Sequence, residues 1–341
     1  MTTDAAEELT ERLEGRDLRC HACGHRCLIR EGKRGICKVR FNERGRLRVP
    51  TDYVAALACD PTEKKPFFHL LPGSDTLTFG MLGCDLHCNY CQNWLTSQAL
   101  RDEAAGAAPR RVSAEGLVRA ARECGARVVG SSYNEPLITA EWAVEVFKRA
   151  KAEGFRTAFI SNGNATERVL DYLRPWTDCY KIDLKSMSDR AYRQLGGVVD
   201  NILDTVRMVH ERGFWEEVVT LVVPGFNDSE AELRRAAEFL ASVSPDIPWH
   251  VTAFHQDYRM TENANTTAAQ LVRACELGRE AGLRYVYAGN LPGRVGRWEN
   301  TYCHACGELL VERRGYRILR MRLGADGLCP DCEEKIPGVW G

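Results

Sequence analysis

Three cysteines stand within a dozen residues in GCDLHCNYCQNW, at Cys84, Cys88 and Cys91, and the next cysteines along the chain, Cys59 and Cys124, are too distant to finish a local quartet. Three thiolates on one short loop can ligate three irons of a [4Fe-4S] cube and leave the fourth iron to a ligand that is not protein. A zinc site of three cysteines and a water, or one completed by His87, is the competitor. His87 adjoins Cys88 and would be poorly aimed at the same ion, so the spacing favours the cluster.

Two further cysteine groups have metal-ligand spacing. CHAC (Cys303, Cys306) and CPDC (Cys329, Cys332) are Cys-x-x-Cys knuckles, with Gly307 allowing a tight turn after the first. Together they supply a closed tetrahedral shell suited to structural zinc. Between them LLVERRGYRILRMRLG alternates like a hairpin and carries Arg313, Arg314, Arg317, Arg320 and Arg322, either a solvated face or a surface for phosphate or an acidic partner. Cys20, Cys23, Cys27 and Cys37, in CHACGHRCLIREGKRGIC, could hold zinc or an additional iron-sulfur cluster, and spacing does not separate the two. His21 and His25 are near enough to compete as ligands. Cys59, Cys124, Cys179 and Cys275 lie dispersed in apolar periodic segments and read as small buried hydrophobes.

The whole chain restricts what these sites can serve. Its 341 residues carry 46 Lys plus Arg against 47 Asp plus Glu, a net charge of -1, so nothing global attracts nucleic acid or membrane. No run of 18 apolar residues occurs, and the opening MTTDAAEELTERLEGRD is polar and acidic, which predicts a soluble, cytoplasmic protein. Fifteen cysteines in such a chain point to metal rather than disulfides.

The elements that must position the central trio alternate. β-branched or aromatic runs at 76 to 82, 126 to 133, 156 to 161, 179 to 184, 217 to 223, 249 to 254 and 284 to 289 read as strands. Amphipathic helix candidates lie between them, such as SAEGLVRAARECG, TAEWAVEVFKRAKAEG, NILDTVRMVHERG, SEAELRRAAEFLASV and TAAQLVRACELGREAG, with Ser113 and Ser229 as N-caps. The repeat predicts an α/β fold with a parallel sheet or barrel, whose ligands sit at the carboxyl ends of strands. Polar residues fall there in series: the cysteine trio, Asn134 and Glu135, Ser161 and Asn162, Asp183 and Lys185, the PGFND turn ending at Asp228, then His255 and Asp257.

Cys84-x3-Cys88-x2-Cys91, with aromatic Tyr90 before the last cysteine, resembles the signature loop of the radical S-adenosylmethionine (SAM) superfamily. The resemblance runs over about 75 to 290 and implies a partial (β/α)6 TIM-like barrel. It also implies a [4Fe-4S] cluster whose open iron is chelated by SAM, and reductive cleavage of SAM to methionine and a 5'-deoxyadenosyl radical that abstracts hydrogen. Asn134-Glu135-Pro136 stands in place of the family's Gly-Gly-Glu-Pro stretch without its glycines, so Glu135 would accept from the SAM ammonium. Asp183-Leu184-Lys185 resembles an Asp-x-Lys of glycyl-radical-enzyme activases that helps hold SAM and sometimes a monovalent cation. His255 is similarly placed to an activase histidine near the SAM ribose, and Ser161-Asn162-Gly163 resembles their strand-end turn.

Longer phrases, EKKPFFHLLPGS, SSYNEP, KIDLKSM, TAFHQDYRM, YAGNLPG and NTYCHACGELLVERRGY, with the four-cysteine head, resemble the radical SAM enzymes of the AmmeMemoRadiSam system over about 15 to 335. That family is named by analogy to pyruvate formate-lyase activating enzyme, and the resemblance implies Memo-like and AMMECR-like partners and an electron donor such as flavodoxin or ferredoxin. Expected domains are an N-terminal four-Cys module and lead-in (1-74), a radical SAM barrel (75-292) and a C-terminal zinc-ribbon-like module (293-341). Two other readings are a glycyl-radical-enzyme activase and a radical SAM enzyme acting on RNA, the latter motivated by the ribbon arginines and by Arg294, Arg297 and Trp298. Tyr133, His255, Asp257, Tyr258 and Arg259 are candidates to position a substrate.

Overall fold

The computed structural model describes residues 1–341, which divide into two compact units. The first comprises Met1–Asp60, Asp75–Tyr180 and Tyr192–Phe214; the second comprises Pro61–Ser74, Lys181–Ala191 and Trp215–Gly341. The fold is α/β, and its main strands pair in parallel within each unit.

In the first unit β1 (Ala56–Pro61), β2 (Asp75–Gly80), β3 (Val128–Ser131) and β4 (Arg156–Ser161) lie in the order β4-β3-β2-β1. β2, β3 and β4 are parallel, with Phe79, Ser131 and Phe159 in register, so the segments leaving all three strands emerge at one edge. Helix α1 (Ala114–Glu123) starts where Ser113 accepts from the Gly116 N–H, and its buried Ala114, Leu117, Val118 and Ala121 repeat at helical spacing on one face. Helices α2 (Ala140–Ala152), α3 (Glu167–Leu173) and α5 (Val199–Glu211) belong to the same unit; the short α3 and α4 (Asp189–Leu195) have too few turns for a periodic signal and escaped the sequence reading. The core is aromatic as well as aliphatic: Phe79 meets Phe147 edge-on at 6.2 Å, and Tyr180 lies between Phe159 and Phe214. Each such ring, taken from water, contributes about 1.5–3 kcal/mol.

In the second unit β5 (Cys179–Asp183) delivers Lys181–Asp183, and β6 (Trp215–Val222), β7 (Trp249–Ala253) and β8 (Val286–Gly289) pair in parallel. Ser229 caps α6 (Glu230–Val243), and Thr267 with Gln270 forms a capping box on α7 (Ala268–Glu280). Gly278 lets α7 close on the sheet: a Cβ there would stand 2.9 Å from Val286 and 3.1 Å from Trp249. The C-terminal strands β9 (Thr301–Tyr302), β10 (Leu309–Arg314) and β11 (Arg317–Met321) form the expected hairpin ribbon. Residues 61–74 pack with that ribbon. Leu71 N–H donates to Val339 O, Val339 N–H donates to His69 O, and Phe68 joins Leu310, Val311, Leu323, Ile336 and Trp340 in one core.

Two sequence expectations are corrected. Cys59 and Cys124 are not buried hydrophobes: Cys124 is exposed, Cys59 half-buried, and a disulfide joins them across 65 residues of sequence. Their pairing arises because β1 and the end of α1 meet only after folding. Arg313 is not on a solvated face; it is buried, donates to Thr301 Oγ1 at 2.7 Å and Phe68 O at 2.8 Å, and stacks over the Phe68 ring. Arg314, Arg317 and Arg320 are exposed, while Arg322 pairs with Asp331 at 2.7 Å. Cys179 and Cys275 are buried as expected, and no helix is long and apolar enough to cross a membrane.

Candidate metal centre and cofactor site

The cysteine loop begins where β2 ends. Gly80 is required there, because a Cβ would stand 2.4 Å from Ser132 O and 2.8 Å from Tyr133 Cβ. Cys84 and Cys91 are half-buried, Cys88 is buried, and all three are free thiols. Tyr90 is buried among them in sequence, and Cys91 Sγ lies 3.2 Å from Ser97 Oγ. Gln98 and Arg101 hold the loop by donating to Leu86 O at 3.3 and 2.9 Å. His87 does not complete a fourth ligand position: it is exposed, and its ring lies against Gly196, where a Cβ would meet it at 2.4 Å.

The turn after β4 clamps two carboxylates. Glu135, 3% exposed, accepts from Ser161 Oγ at 2.8 Å, the Asn162 N–H at 2.7 Å and the Leu137 N–H at 3.0 Å. Asp85, fully buried beside Cys84, accepts from Asn162 Nδ2 and Asn164 Nδ2, both at 2.7 Å. Gly163, at φ +79°, permits that tight turn. Burial, reinforced by the Asp85 charge, pushes the Glu135 carboxyl up to about 8 despite its three donors. Burial also raises the Cys84 thiol well above its ordinary value, with Asp85 and Glu135 adding to it. Asn134 serves the backbone: its Oδ1 accepts from the Met81 N–H at 2.9 Å and its Nδ2 donates to Glu135 O at 3.2 Å.

Three free thiols on a loop whose histidine packs against Gly196, beside a buried carboxyl that a cation would ionise, fit a [4Fe-4S] cluster and the ammonium group of SAM. In the first unit Glu135, Ser161 and Asn162 form one hydrogen-bonded group, which Asp85 joins to the loop of Cys84, Cys88 and Cys91. Asp85 and Asn164 were missed. Their signals were a carboxylate between two thiols and a second asparagine in SNGN, both ordinary in loops.

The remaining candidates lie in the second unit. Lys185 Nζ donates to Asp183 Oδ2 at 3.3 Å while Lys181 binds the other oxygen. Burial alone would raise the Asp183 carboxyl, but the two ammonium groups outweigh it and hold it down to about 2. Asn227 of the PGFND turn donates to Lys185 O and Leu221 O at 2.7 and 2.8 Å, fixing the ends of β5 and β6. His255 is exposed, with Nδ1 3.2 Å from Gln256 O.

The ribbon cysteines close onto a point. Cys303 Sγ is 3.6 Å from Cys332 Sγ, Cys306 Sγ is 3.7 Å from Cys329 Sγ, and all four lie within 4.8 Å of one another. Zn–S bonds of about 2.3 Å in a tetrahedron demand a sulfur separation of about 3.8 Å. At the other end Cys20, Cys23, Cys27 and Cys37 line one small cavity with Ala22, Ile29 and Ile138. His21 is 2.7 Å from Glu11 Oε2, and His25 is 3.2 Å from Asp85 O.

The Radical SAM superfamily model matches residues 79–240. An uncharacterized protein of Methanocaldococcus jannaschii is 34% identical over 329 residues, covering 96% of this chain and 97% of that one. The chain belongs to the radical SAM superfamily. Within it the chain is an activase-like enzyme, similar to pyruvate formate-lyase 1-activating enzyme of Escherichia coli K12, 26% identical over 205 residues, with 56% of this chain and 80% of that one covered. Among solved structures, a radical SAM methyltransferase from Sphaerobacter thermophilus aligns with a TM-score of 0.49 at 18% identity, covering 70% of this chain and 71% of that one.

Proposed function

We propose that this enzyme uses a [4Fe-4S] cluster on Cys84, Cys88 and Cys91, with SAM on its open iron, inside a partial (β/α)6 barrel flanked by an N-terminal four-Cys module and a zinc ribbon. The observation that carries the reading is the shared clamp: one turn, Ser161 to Asn164, orients Glu135 for the SAM ammonium and anchors Asp85 next to the ligand Cys84. When bound and reduced, the cluster and SAM supply a 5'-deoxyadenosyl radical that abstracts hydrogen from a substrate. The chain's own part is to bind, orient and exclude water. Glu135 accepts the ammonium in a dry site where a charge-assisted bond is strong.

Memo-like and AMMECR-like proteins, with a flavodoxin or ferredoxin as reductant, are the partners in this reading, and the substrate is presented by or shared with them. Similarity to a pyruvate formate-lyase activating enzyme supports a second reading, in which the hydrogen comes from a protein glycine. The test is anaerobic reconstitution followed by dithionite and SAM, alone and with each partner. Release of 5'-deoxyadenosine that rises with a Memo-like or AMMECR-like protein supports the first reading; release that accompanies a glycyl radical signal on a lyase supports the second. No 5'-deoxyadenosine under any condition would overturn both.

A further inference from the structure

We propose that Cys20, Cys23, Cys27 and Cys37 hold a second iron-sulfur cluster, placed between a docking patch for an acidic one-electron carrier and the cysteine loop of the SAM site. The inference rests on the Cys84 loop holding a cluster, and three observations lead to it.

The first is the shape of the ligand set. The His21 and His25 rings bond Glu11 and Asp85 O through Nε2, and the four thiols are ligands enough without them. The ribbon sulfurs are drawn within 4.8 Å of one another, as a single ion requires. The four N-terminal thiols line one small cavity whose other walls include Ala22, Ile29 and Ile138, which gives four thiolate ligands for the four irons of a cube. Arg40, buried beside them and paired with Glu141, places a cation near Cys20 and Cys37 to offset thiolate charge.

The second is contact with the SAM loop, all within the first unit. Arg101 donates from Nη1 to Leu86 O at 2.9 Å, between Cys84 and Cys88, and from Nη2 to Ile36 O at 2.7 Å, beside Cys37. Gly83, next to Cys84, packs closely on the N-terminal segment: a Cβ would stand 3.3 Å from both Cys37 O and Val39 Cγ2. Gly24, beside Cys23, donates its N–H to Asn164 O at 2.8 Å, and Asn164 holds Asp85. Backbone therefore touches backbone between the two thiolate sets.

The third is the outer surface. Leu28 and Ile36, flanking Cys27 and Cys37, are 50% and 43% exposed, and Arg26, Arg30, Lys33, Arg34 and Lys38 are exposed around them, with Glu31 the one exposed acid from 20 to 40. An apolar centre with a cationic rim suits an acidic redox protein. A structural zinc accounts for the folding of this segment but not for the patch on one side and the SAM loop on the other.

The electron balance is simple. The reduced carrier gives one electron to the oxidised N-terminal cluster, which gives one electron to the SAM-site cluster and returns to its oxidised form.

The experiment reconstitutes the full chain and a Cys84/Cys88/Cys91→Ala triple variant without oxygen and measures iron, zinc and the dithionite-reduced EPR spectrum. About eight irons and one zinc in the wild type, with about four irons and a reducible signal left in the triple variant, is the expected result. Four irons and two zincs in the wild type, with none of the iron left in the triple variant, would overturn the proposal. Wild-type protein holding both clusters but releasing no 5'-deoxyadenosine would instead count against the SAM reading alone. For the carrier, an Arg30→Glu/Lys33→Glu double variant is expected to lower flavodoxin-driven relative to dithionite-driven SAM cleavage several-fold; an unchanged ratio removes the docking patch.

Discussion

Asn162 donates from Nδ2 to Asp85 Oδ1 at 2.7 Å, joining the turn after β4 to the loop that carries Cys84, Cys88 and Cys91. The same residue gives its backbone N–H to Glu135, so the cysteine loop and the buried carboxyl share one partner, Asn162, beside the donors each has of its own.

Replacing Asp85 by Ala leaves two buried amide donors, on Asn162 and Asn164, without their acceptor. Each costs about 1–3 kcal/mol, so the variant should unfold at a markedly lower temperature and take up less iron. Thermal unfolding and iron analysis check this; wild-type values for both would show that the clamp does not hold the loop.

The two metal classes should separate by mutation. Cys88→Ala should lose the SAM-site iron and SAM cleavage while keeping about one zinc. Cys306→Ser should lose that zinc and make 301–335 sensitive to protease while SAM-site iron persists. Loss of both metals from either single variant would contradict two independent sites.

Glu135 gives opposite pH trends with and without ligand. Its carboxyl is raised from 4.5 to about 8 by burial and Asp85, so the folded apo-protein holds a proton that the unfolded chain has released across that window. Its contribution to stability is therefore full below pH 4.5 and is lost as pH rises toward 8. Binding the SAM ammonium favours the carboxylate and should release a proton near pH 7. Calorimetry in buffers of different ionisation enthalpy measures that release, and Glu135→Gln should abolish it and weaken SAM binding at least tenfold.

His69 should make the second unit acid-sensitive. Its Nδ1 donates to Pro337 O and its Nε2 accepts from Tyr287 OH, both at 2.6 Å, an arrangement only the neutral ring can make. Burial, the largest cause, with Arg313 and His250 also opposing the charge and Glu217 favouring it, lowers the imidazole to about 4. Stability is complete above pH 6.5 and falls as pH drops from 6.5 to 4, by roughly 3 kcal/mol in total for this group. Thermal unfolding from pH 7 to 4.5 should show the loss, and His69→Gln should flatten it; equal slopes would assign the acid sensitivity elsewhere.

Much of this was legible in local patterns. Cysteine spacings of three and two marked the loop after β2, two Cys-x-x-Cys knuckles marked the ribbon whose four sulfurs converge, and β-branched runs alternating with amphipathic stretches placed the strands within a few residues. Such signals are local because ligand spacing, capping and periodicity are properties of neighbours along the chain. Partner choice is not local. That Asp85 meets Asn162 and Asn164, that Cys59 finds Cys124, that Arg313 is buried on Phe68 and that Cys37 lies against Gly83 all depend on segments tens or hundreds of residues apart. The sequence by itself determined which chemistry the chain can hold; only the tertiary structure decided which charges and thiols share one buried space, because packing brings them there and burial sets their strength.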